Sequence, residues 1–362
     1  MGKLYRIQKT DFDCKLRQSE TKRYSEILFG DIFPNIQKLL DVFDNSGIKT
    51  RNFCVPIDFF NKELSFEEKN ILFKDIALEH SLKSIKQSLL NAGIGFSDIT
   101  DFIYVNTTGL TTPSLDALVI NSLKLNPNIN RYPLWGLGCA GGVSGLAKAN
   151  TIAKANPEAV IIILGVELCS LTFRKNDVSK SNFVATSLFS DGITTSIVLG
   201  DNAIRKYEEL DYSVDIIGSQ SKLYYDSEDV MGWEFLNDGF KVVFSKDIPT
   251  IIHDNVKGDV INFLDKHNLQ LSDIKNFIAH PGGAKVIKAY IDALGMNTNM
   301  LNNSRYILEN YGNMSSVSVL YVLERFISEG FEDGYGLMIS LGPGFSSEMV
   351  LLDMKNNAKL IE

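Results

Sequence analysis

Pro133-Leu-Trp-Gly-Leu-Gly-Cys139-Ala-Gly-Gly-Val-Ser-Gly-Leu-Ala-Lys148 places one thiol among small residues, where an amphipathic helical pattern begins. A cysteine at the start of a helix meets the positive end of the peptide dipoles, which favours thiolate over thiol. Flanking glycines let backbone N–H groups and a thioester approach the sulfur closely. The same residues also suit a buried structural cysteine in a glycine-rich contact between helices. The rest of the chain has to decide between the two.

Three landmarks around this stretch occur twice, in the same order. In the first half, Asp101-Phe-Ile-Tyr-Val-Asn106 leads into the loop Thr107-Thr-Gly-Leu-Thr-Thr-Pro113. The helix near Cys139 follows, and then the buried-strand pattern Ala159-Val-Ile-Ile-Ile-Leu-Gly-Val-Glu167. In the second half, Ile274-Lys-Asn-Phe-Ile-Ala279 leads into His280-Pro-Gly-Gly283. A helical pattern opens near Asn313, in Tyr311-Gly-Asn-Met-Ser-Ser-Val-Ser-Val-Leu-Tyr-Val-Leu323, and Gly336-Leu-Met-Ile-Ser-Leu-Gly-Pro-Gly344 closes the unit. Thr107 to Cys139 is 32 positions and His280 to Asn313 is 33; Cys139 to Gly165 is 26 and Asn313 to Gly342 is 29. Continuous apolar strands such as Val160–Leu164 point to a sheet covered by helices on both faces. Any α/β chain alternates elements at a similar pitch, but the matched order argues for an internal duplication. Two such units about a pseudo-twofold axis would bring Cys139 and Asn313 together, with His280 ending a strand beside them. The expected halves are residues 1–205 and 206–362.

The chain has 362 residues, 44% hydrophobic and 22% charged, the balance of an ordinary soluble globular protein. No apolar run approaches the ~18 residues of a membrane span. The start, Met1-Gly-Lys-Leu-Tyr-Arg-Ile-Gln-Lys-Thr10, has no apolar core for a signal peptide, so a cytoplasmic protein is expected. Cys14, Cys54, Cys139 and Cys169 form no CxxC pair, which argues against a zinc site or a disulfide framework. A formal net charge of −8 argues against a nucleic-acid partner. An anionic ligand would need a local basic patch set against that sign.

Of the four histidines, His80 and His267 lie in charged, helical stretches and His253 in an amphipathic helix. His280 alone follows an apolar strand and precedes a sharp Pro-Gly-Gly turn. Taken singly, His280 also fits a hydrogen-bonded core histidine, and Asn313 an N-cap. Taken together, Cys139, His280 and Asn313 form a functional set. A thiolate accepts an acyl group from a thioester, His280 pairs with the thiolate, and His280 and Asn313 both donate to one carbonyl oxygen. Such an oxyanion hole suits decarboxylation of a malonyl thioester, which leaves an enolate and needs no strong general base.

At these residues the chain resembles the thiolase-fold condensing enzymes, and most closely the type III polyketide synthases of the chalcone synthase family. Gly-Leu-Gly-Cys139-Ala-Gly-Gly is similar to the family's nucleophile loop, Ile-Ala-His280-Pro-Gly-Gly to its histidine motif and Tyr-Gly-Asn313-Met-Ser-Ser to its asparagine motif. Leu-Gly342-Pro343-Gly344 resembles its cyclisation loop, with Leu341 in place of phenylalanine, and Ser187-Leu-Phe189-Ser-Asp-Gly192 its gatekeeper segment. The resemblance implies an αβαβα homodimer that takes acyl-CoA and malonyl-CoA as substrates and needs no cofactor or metal. It puts Thr107, Thr108, Cys169, Thr172 and Ser315 on the pocket wall and makes Phe189 an apolar wall near the sulfur. It also implies that the loop at Thr112-Pro113 reaches into the partner subunit. Lys49, Arg51 and Lys285 fall where basic CoA contacts are expected, although each also suits ordinary solvated surface.

Two departures matter. The second gatekeeper phenylalanine aligns with Val242, in Gly239-Phe-Lys-Val-Val-Phe244; Phe240 and Phe244 are candidates to compensate, and alternation along the strand decides which side chain faces the pocket. Trp233 falls where plant members carry a glycine lining the starter pocket. A plant-type aromatic starter is therefore disfavoured, and a bacterial-type alkylpyrone or alkylresorcinol synthase primed by a fatty acyl-CoA is expected. The alternative is an initiating β-ketoacyl carrier-protein synthase or another condensing enzyme of this fold. A non-catalytic subunit is disfavoured by the intact Cys139, His280 and Asn313.

Overall fold

The computed structural model describes residues 1–30, 36–245 and 247–357. In chain order its strands are β1 (Gly2–Thr10), β2 (Cys14–Arg17), β3 (Thr50–Phe53), β4 (Asp101–Asn106), β5 (Asn130–Trp135), β6 (Val160–Leu168) and β7 (Asp191–Leu199). They continue as β8 (Tyr212–Leu223), β9 (Met231–Leu236), β10 (Gly239–Phe244), β11 (Ile274–Ala279), β12 (Gly334–Gly342) and β13 (Ser346–Asn356).

Nine of these strands form one hydrogen-bonded run, in the order β11-β12-β13-β8-β1-β7-β6-β4-β5. At its centre β1 and β8 pair antiparallel, with Gly2 opposite Ile216 and Leu4 opposite Val214. Outward from β1 come β7 (antiparallel), β6 (antiparallel) and β4 (parallel). Outward from β8 come β13 (antiparallel), β12 (antiparallel) and β11 (parallel). A twofold axis between β1 and β8 produces this pattern, because a strand and its twofold mate must pair antiparallel. The duplication visible in the motifs is therefore present in the backbone; the first half adds only β5 at its outer edge.

Alternation along the strands sorts the core into layers. Phe102, Tyr104, Ile162 and Leu164 face the outer helices of the first half, chiefly the long helix Phe66–Ala92 and the helix Leu115–Leu123. Ile103, Val105, Ile161 and Ile163 point the other way, into a central core that also receives Ile278, Met338, Val350 and Leu352 of the second half. The helices Gly141–Ala155 and Ser318–Glu329 fill that centre. Phe277, Ala279, Leu337 and Ile339 face outward again, onto the helices Ile248–Asp265 and Ala284–Leu294. The result is the αβαβα thiolase-like arrangement, and burial on both faces explains the unbroken apolar strands. No helix among the described residues is long and apolar enough to cross a membrane.

Two smaller pieces flank this body. The β9–β10 hairpin pairs Trp233 with Val242 and Phe240 with Phe235. The helix α1 (Gln18–Phe29) packs beside α2 (Lys180–Leu188), antiparallel to it: Gln18 reaches Ser187 at one end, and Phe29 meets Phe183 at the other.

Candidate active site

A short 3₁₀ turn, Gly138–Ala140, carries Cys139 directly into the central helix Gly141–Ala155, so the thiol sits at a helix start as the sequence implied. Gly138 has φ +48°, and a Cβ there would lie 2.6 Å from Pro343 Cδ. Gly342 is closed in by Leu137 O, 2.4 Å from where its Cβ would be. Ser340 Oγ donates to Cys139 O at 2.6 Å, and Gly138 N donates to Thr107 Oγ1 at 3.0 Å. The loop carrying Cys139 is thus clamped between the first-half loop at Thr107 and the second-half loop at Gly342-Pro343.

Cys139 is buried, and its Sγ lies 3.9 Å from Ser315 Oγ. Burial pushes the thiol up to about 12; hydrogen bonding from Ser315 and Asn313 opposes this, and the charge of Glu167 adds to it. Asn313 is held by backbone groups through both its side chain and its own peptide. Its Oδ1 accepts from Ser315 N at 2.9 Å and its Nδ2 donates to Gly282 O at 3.2 Å, while its own N–H donates to Leu188 O at 2.9 Å. Ser315 has φ +49°, rare for a side chain with a Cβ and a mark of a constrained site. His280 ends β11 and folds back over Gly282: its Nε2 is 3.5 Å from where a Gly282 Cβ would lie. Burial drops the imidazole to about 3, and neither ring nitrogen has a hydrogen-bond partner among the described residues. No hydrogen bond joins the His280 ring to the Cys139 thiol among the described residues. Burial disfavours a charge on either the thiol or the imidazole alone.

Glu167 is a residue the sequence reading passed over. It is fully buried, accepts from Ser316 Oγ at 2.5 Å and from Thr107 N at 3.1 Å, and burial pushes its carboxyl up to about 7 against those bonds. The signal was available: one carboxylate closes the otherwise apolar run Ala159–Val166. Thr108 belongs to the same support, its Oγ1 accepting from Leu168 N at 2.9 Å.

A mostly apolar cavity of about 70 Å³ lies along Phe189 and Cys169; Cys139, His280 and Asn313 are not among the residues that line it. Phe189, Cys169, Thr172, Trp233 and Val242, all expected on the pocket wall, line it. Phe240, Val242 and Phe244 alternate onto one face of β10: the first two line the cavity, and Phe244 packs 5.8 Å from the Phe189 ring. Of the two candidate phenylalanines, Phe240 lines the cavity and Phe244 does not. Trp233 lies 6.4 Å from Phe189 and 5.8 Å from Phe240, filling part of the space as expected. The far wall was not foreseen. It is the face Thr21, Tyr24, Ser25 and Leu28 of α1, spaced as one side of a helix.

Other expectations fare differently. Thr112 and Pro113 are exposed on this chain. Gly344, with φ +125°, approaches Leu223 rather than the thiol. Lys285 is exposed, and Lys49 is exposed and ion-paired with Glu309. Arg51 corrects the picture of a free surface cation. It is 2% exposed, and its Nη1 donates to Thr186 O at 2.6 Å and Phe189 O at 2.9 Å.

Residues 37–202 match the model of the chalcone and stilbene synthase N-terminal domain, and residues 215–355 match that of the C-terminal domain. The chain belongs to the chalcone and stilbene synthase family. It is 42% identical over 350 residues to a Bacillus subtilis (strain 168) protein named "Putative chalcone synthase", covering 95% of this chain and 96% of that one. It is 34% identical over 310 residues to 1,3,6,8-tetrahydroxynaphthalene synthase of Streptomyces peucetius subsp. caesius, covering 85% and 81%. The crystal structure of 1,3,6,8-tetrahydroxynaphthalene synthase from Streptomyces coelicolor A3(2), a bacterial type III polyketide synthase, superposes with TM-score 0.90 at 27% identity, covering 97% and 99%. The chain is a type III polyketide synthase, an acyltransferase that uses CoA thioesters, and the two condensing classes left open by the sequence are decided in favour of this one.

Proposed function

We propose that this synthase loads a fatty acyl group from acyl-CoA onto Cys139, extends it with malonyl-CoA and cyclises the chain to an alkylpyrone or alkylresorcinol. The observation that carries this reading is the apolar cavity behind Phe189, walled by α1, α2 and the β9–β10 hairpin. Its lining is mostly apolar, the surface an alkyl chain would meet.

The thiol proton of Cys139 passes to His280 as the sulfur attacks the thioester carbonyl, so the two buried charges arise together. CoA leaves as its thiolate and takes the proton back from His280, which returns the imidazole to its neutral form. Malonyl-CoA then loses CO2, and the electron pair left behind forms the enolate of acetyl-CoA. Asn313 Nδ2 and a protonated His280 nitrogen donate to that enolate oxygen. The enolate carbon attacks the Cys139 acyl carbonyl and releases the sulfur, and the cycle repeats. Phe189 keeps water from the enolate. Lys49 and Lys285, both exposed, remain the cations offered to CoA phosphates. The exposed loop at Thr112-Pro113 lies beside the uncovered side chains Leu110 (40% exposed), Trp135 (40%) and Phe235 (54%), which supports a homodimer. The site is expected to work in the cytoplasm.

The test is a panel of acyl-CoAs, from acetyl to long-chain, with ¹³C-labelled malonyl-CoA and mass spectrometry of the products. Starter-dependent pyrones or resorcinols are expected, together with an acyl adduct on Cys139 that Cys139→Ala lacks. Products built only from malonyl units, whatever starter is present, would remove the fatty-acyl reading.

A further inference from the structure

We propose that Arg51 is a positioning residue that locks the turn Leu188–Ser190 to Asn313, holding Phe189 and Asn313 in register for malonyl decarboxylation. This rests on the oxyanion-hole reading of Asn313 given above.

The turn is the C-terminal end of α2, where the last carbonyls lack partners within the helix. Each is met by a different part of the chain. Arg51 Nη1 takes Thr186 O at 2.6 Å and Phe189 O at 2.9 Å. Gln18 Nε2 takes Ser187 O at 2.8 Å. The backbone N–H of Asn313 takes Leu188 O at 2.9 Å, and Ser190 N returns a bond to Asn313 O at 2.9 Å. Phe189 and Asn313 are paired as an isolated parallel bridge. A shift of this turn therefore moves the apolar gate and the carboxamide together.

Gly312 is a second, independent sign. It has φ +74°, and a Cβ there would lie 2.9 Å from Arg51 Cγ and 3.1 Å from Leu188 O. The residue before Asn313 is thus pressed against both the arginine stem and the helix end that the guanidinium caps. Burying a guanidinium is costly unless its donors are met. The Asp191 carboxylate, whose charge reaches Arg51, is already engaged by Cys54 N, Ser170 N and Ser170 Oγ. The helix carbonyls take its place at Nη1, at the negative end of the α2 dipole, while the buried Nε has no hydrogen-bond partner among the described residues. One Nη atom spans both carbonyls while the rigid fork fixes its direction, which a flexible ammonium does less well.

Arg51 as a CoA-phosphate ligand is the competing reading, and the same variants separate the two. Arg51→Gln, Arg51→Lys and Gly312→Ala are prepared in the full chain. Acyl loading on Cys139 is followed by intact mass, and decarboxylation with both malonyl-CoA and malonyl-N-acetylcysteamine, which lacks the nucleotide. In Arg51→Gln, loading persists while kcat for decarboxylation falls about a hundredfold, the cost of a misplacement near 1 Å, equally for both thioesters and with little change in KM. Arg51→Lys recovers part of the rate. Gly312→Ala shows the same signature with Arg51 in place. A loss confined to the CoA thioester, with raised KM, overturns the proposal in favour of phosphate binding. Loading and decarboxylation falling in the same proportion overturns it in favour of a general folding role. Absence of any adduct in the wild-type enzyme would strike the reading of Cys139 instead, and so is distinguishable.

Discussion

Glu167→Gln should change how stability depends on pH, by an amount that follows from burial. In the folded chain burial holds the Glu167 carboxyl at about 7, against an ordinary value of 4.5. Between those values the native state keeps a proton that the unfolded chain has lost. This contribution to stability is full below pH 4.5, declines as pH rises, and levels off above 7. The interval corresponds to about 3 kcal/mol. His280 acts in the opposite sense: held at about 3 against 6.5, it makes stability rise between those pH values. The raw curve mixes the two, so the difference between variant and wild type is the useful quantity. In Glu167→Gln the new amide nitrogen faces either the Thr107 N–H or the Ser316 hydroxyl, at a cost of about 1–3 kcal/mol that does not vary with pH. Urea unfolding at pH 5, 6, 7 and 8 should show the variant gaining on wild type by about 3 kcal/mol across the series. A difference that stays constant across the series would refute the reasoning, because Glu167 would then not titrate in the folded state in this range.

Asn313→Ala should retain acyl loading on Cys139 but lose malonyl decarboxylation by about 10²–10³-fold, as for one oxyanion donor, measured by release of CO2. Gly138→Ala forces a side chain into φ +48° and within 2.6 Å of Pro343, so the folded protein should lose loading and decarboxylation together. Ser25→Phe fills the α1 wall of the cavity and should shorten the longest accepted acyl-CoA while leaving acetyl-CoA turnover in place, read from the same product panel.

Much of this architecture was legible because it is carried by local signals. The apolar runs at Val160–Leu164 and Leu337–Ile339 announced strands buried on both faces, and the spacing of Thr107, Cys139, His280 and Asn313 announced two copies of one unit. What remained hidden depends on long-range packing. Arg51 follows Lys49 in a stretch that reads as charged surface, and only the tertiary fold brings it to the end of α2, 135 positions away from Thr186 O. Thr21, Tyr24, Ser25 and Leu28 read as one side of an ordinary surface helix until α1 is laid against α2. Glu167 looks like a strand terminus until Ser316 arrives from the other half.

The glycines around Cys139 carry the last point. The sequence suggested that they let substrate and backbone approach the sulfur, with a close helix contact as the rival explanation. A Cβ on Gly142 would lie 2.2 Å from Ser316 O, and one on Gly141 would lie 2.6 Å from Val105 Cγ1 and 3.2 Å from Ser316 Cβ. These glycines face the equivalent helix start of the second half, not the open site. The two readings are thus one: the start of the Cys139 helix must touch the Asn313 segment for the carboxamide to reach the thiol, and that contact leaves no room for a side chain. Pseudo-symmetry supplies two similar helix starts, and the missing Cβ atoms on one of them let the pair close up around Cys139 and Asn313. A larger residue at Gly142 should therefore separate Asn313 from Cys139 before it impedes any substrate.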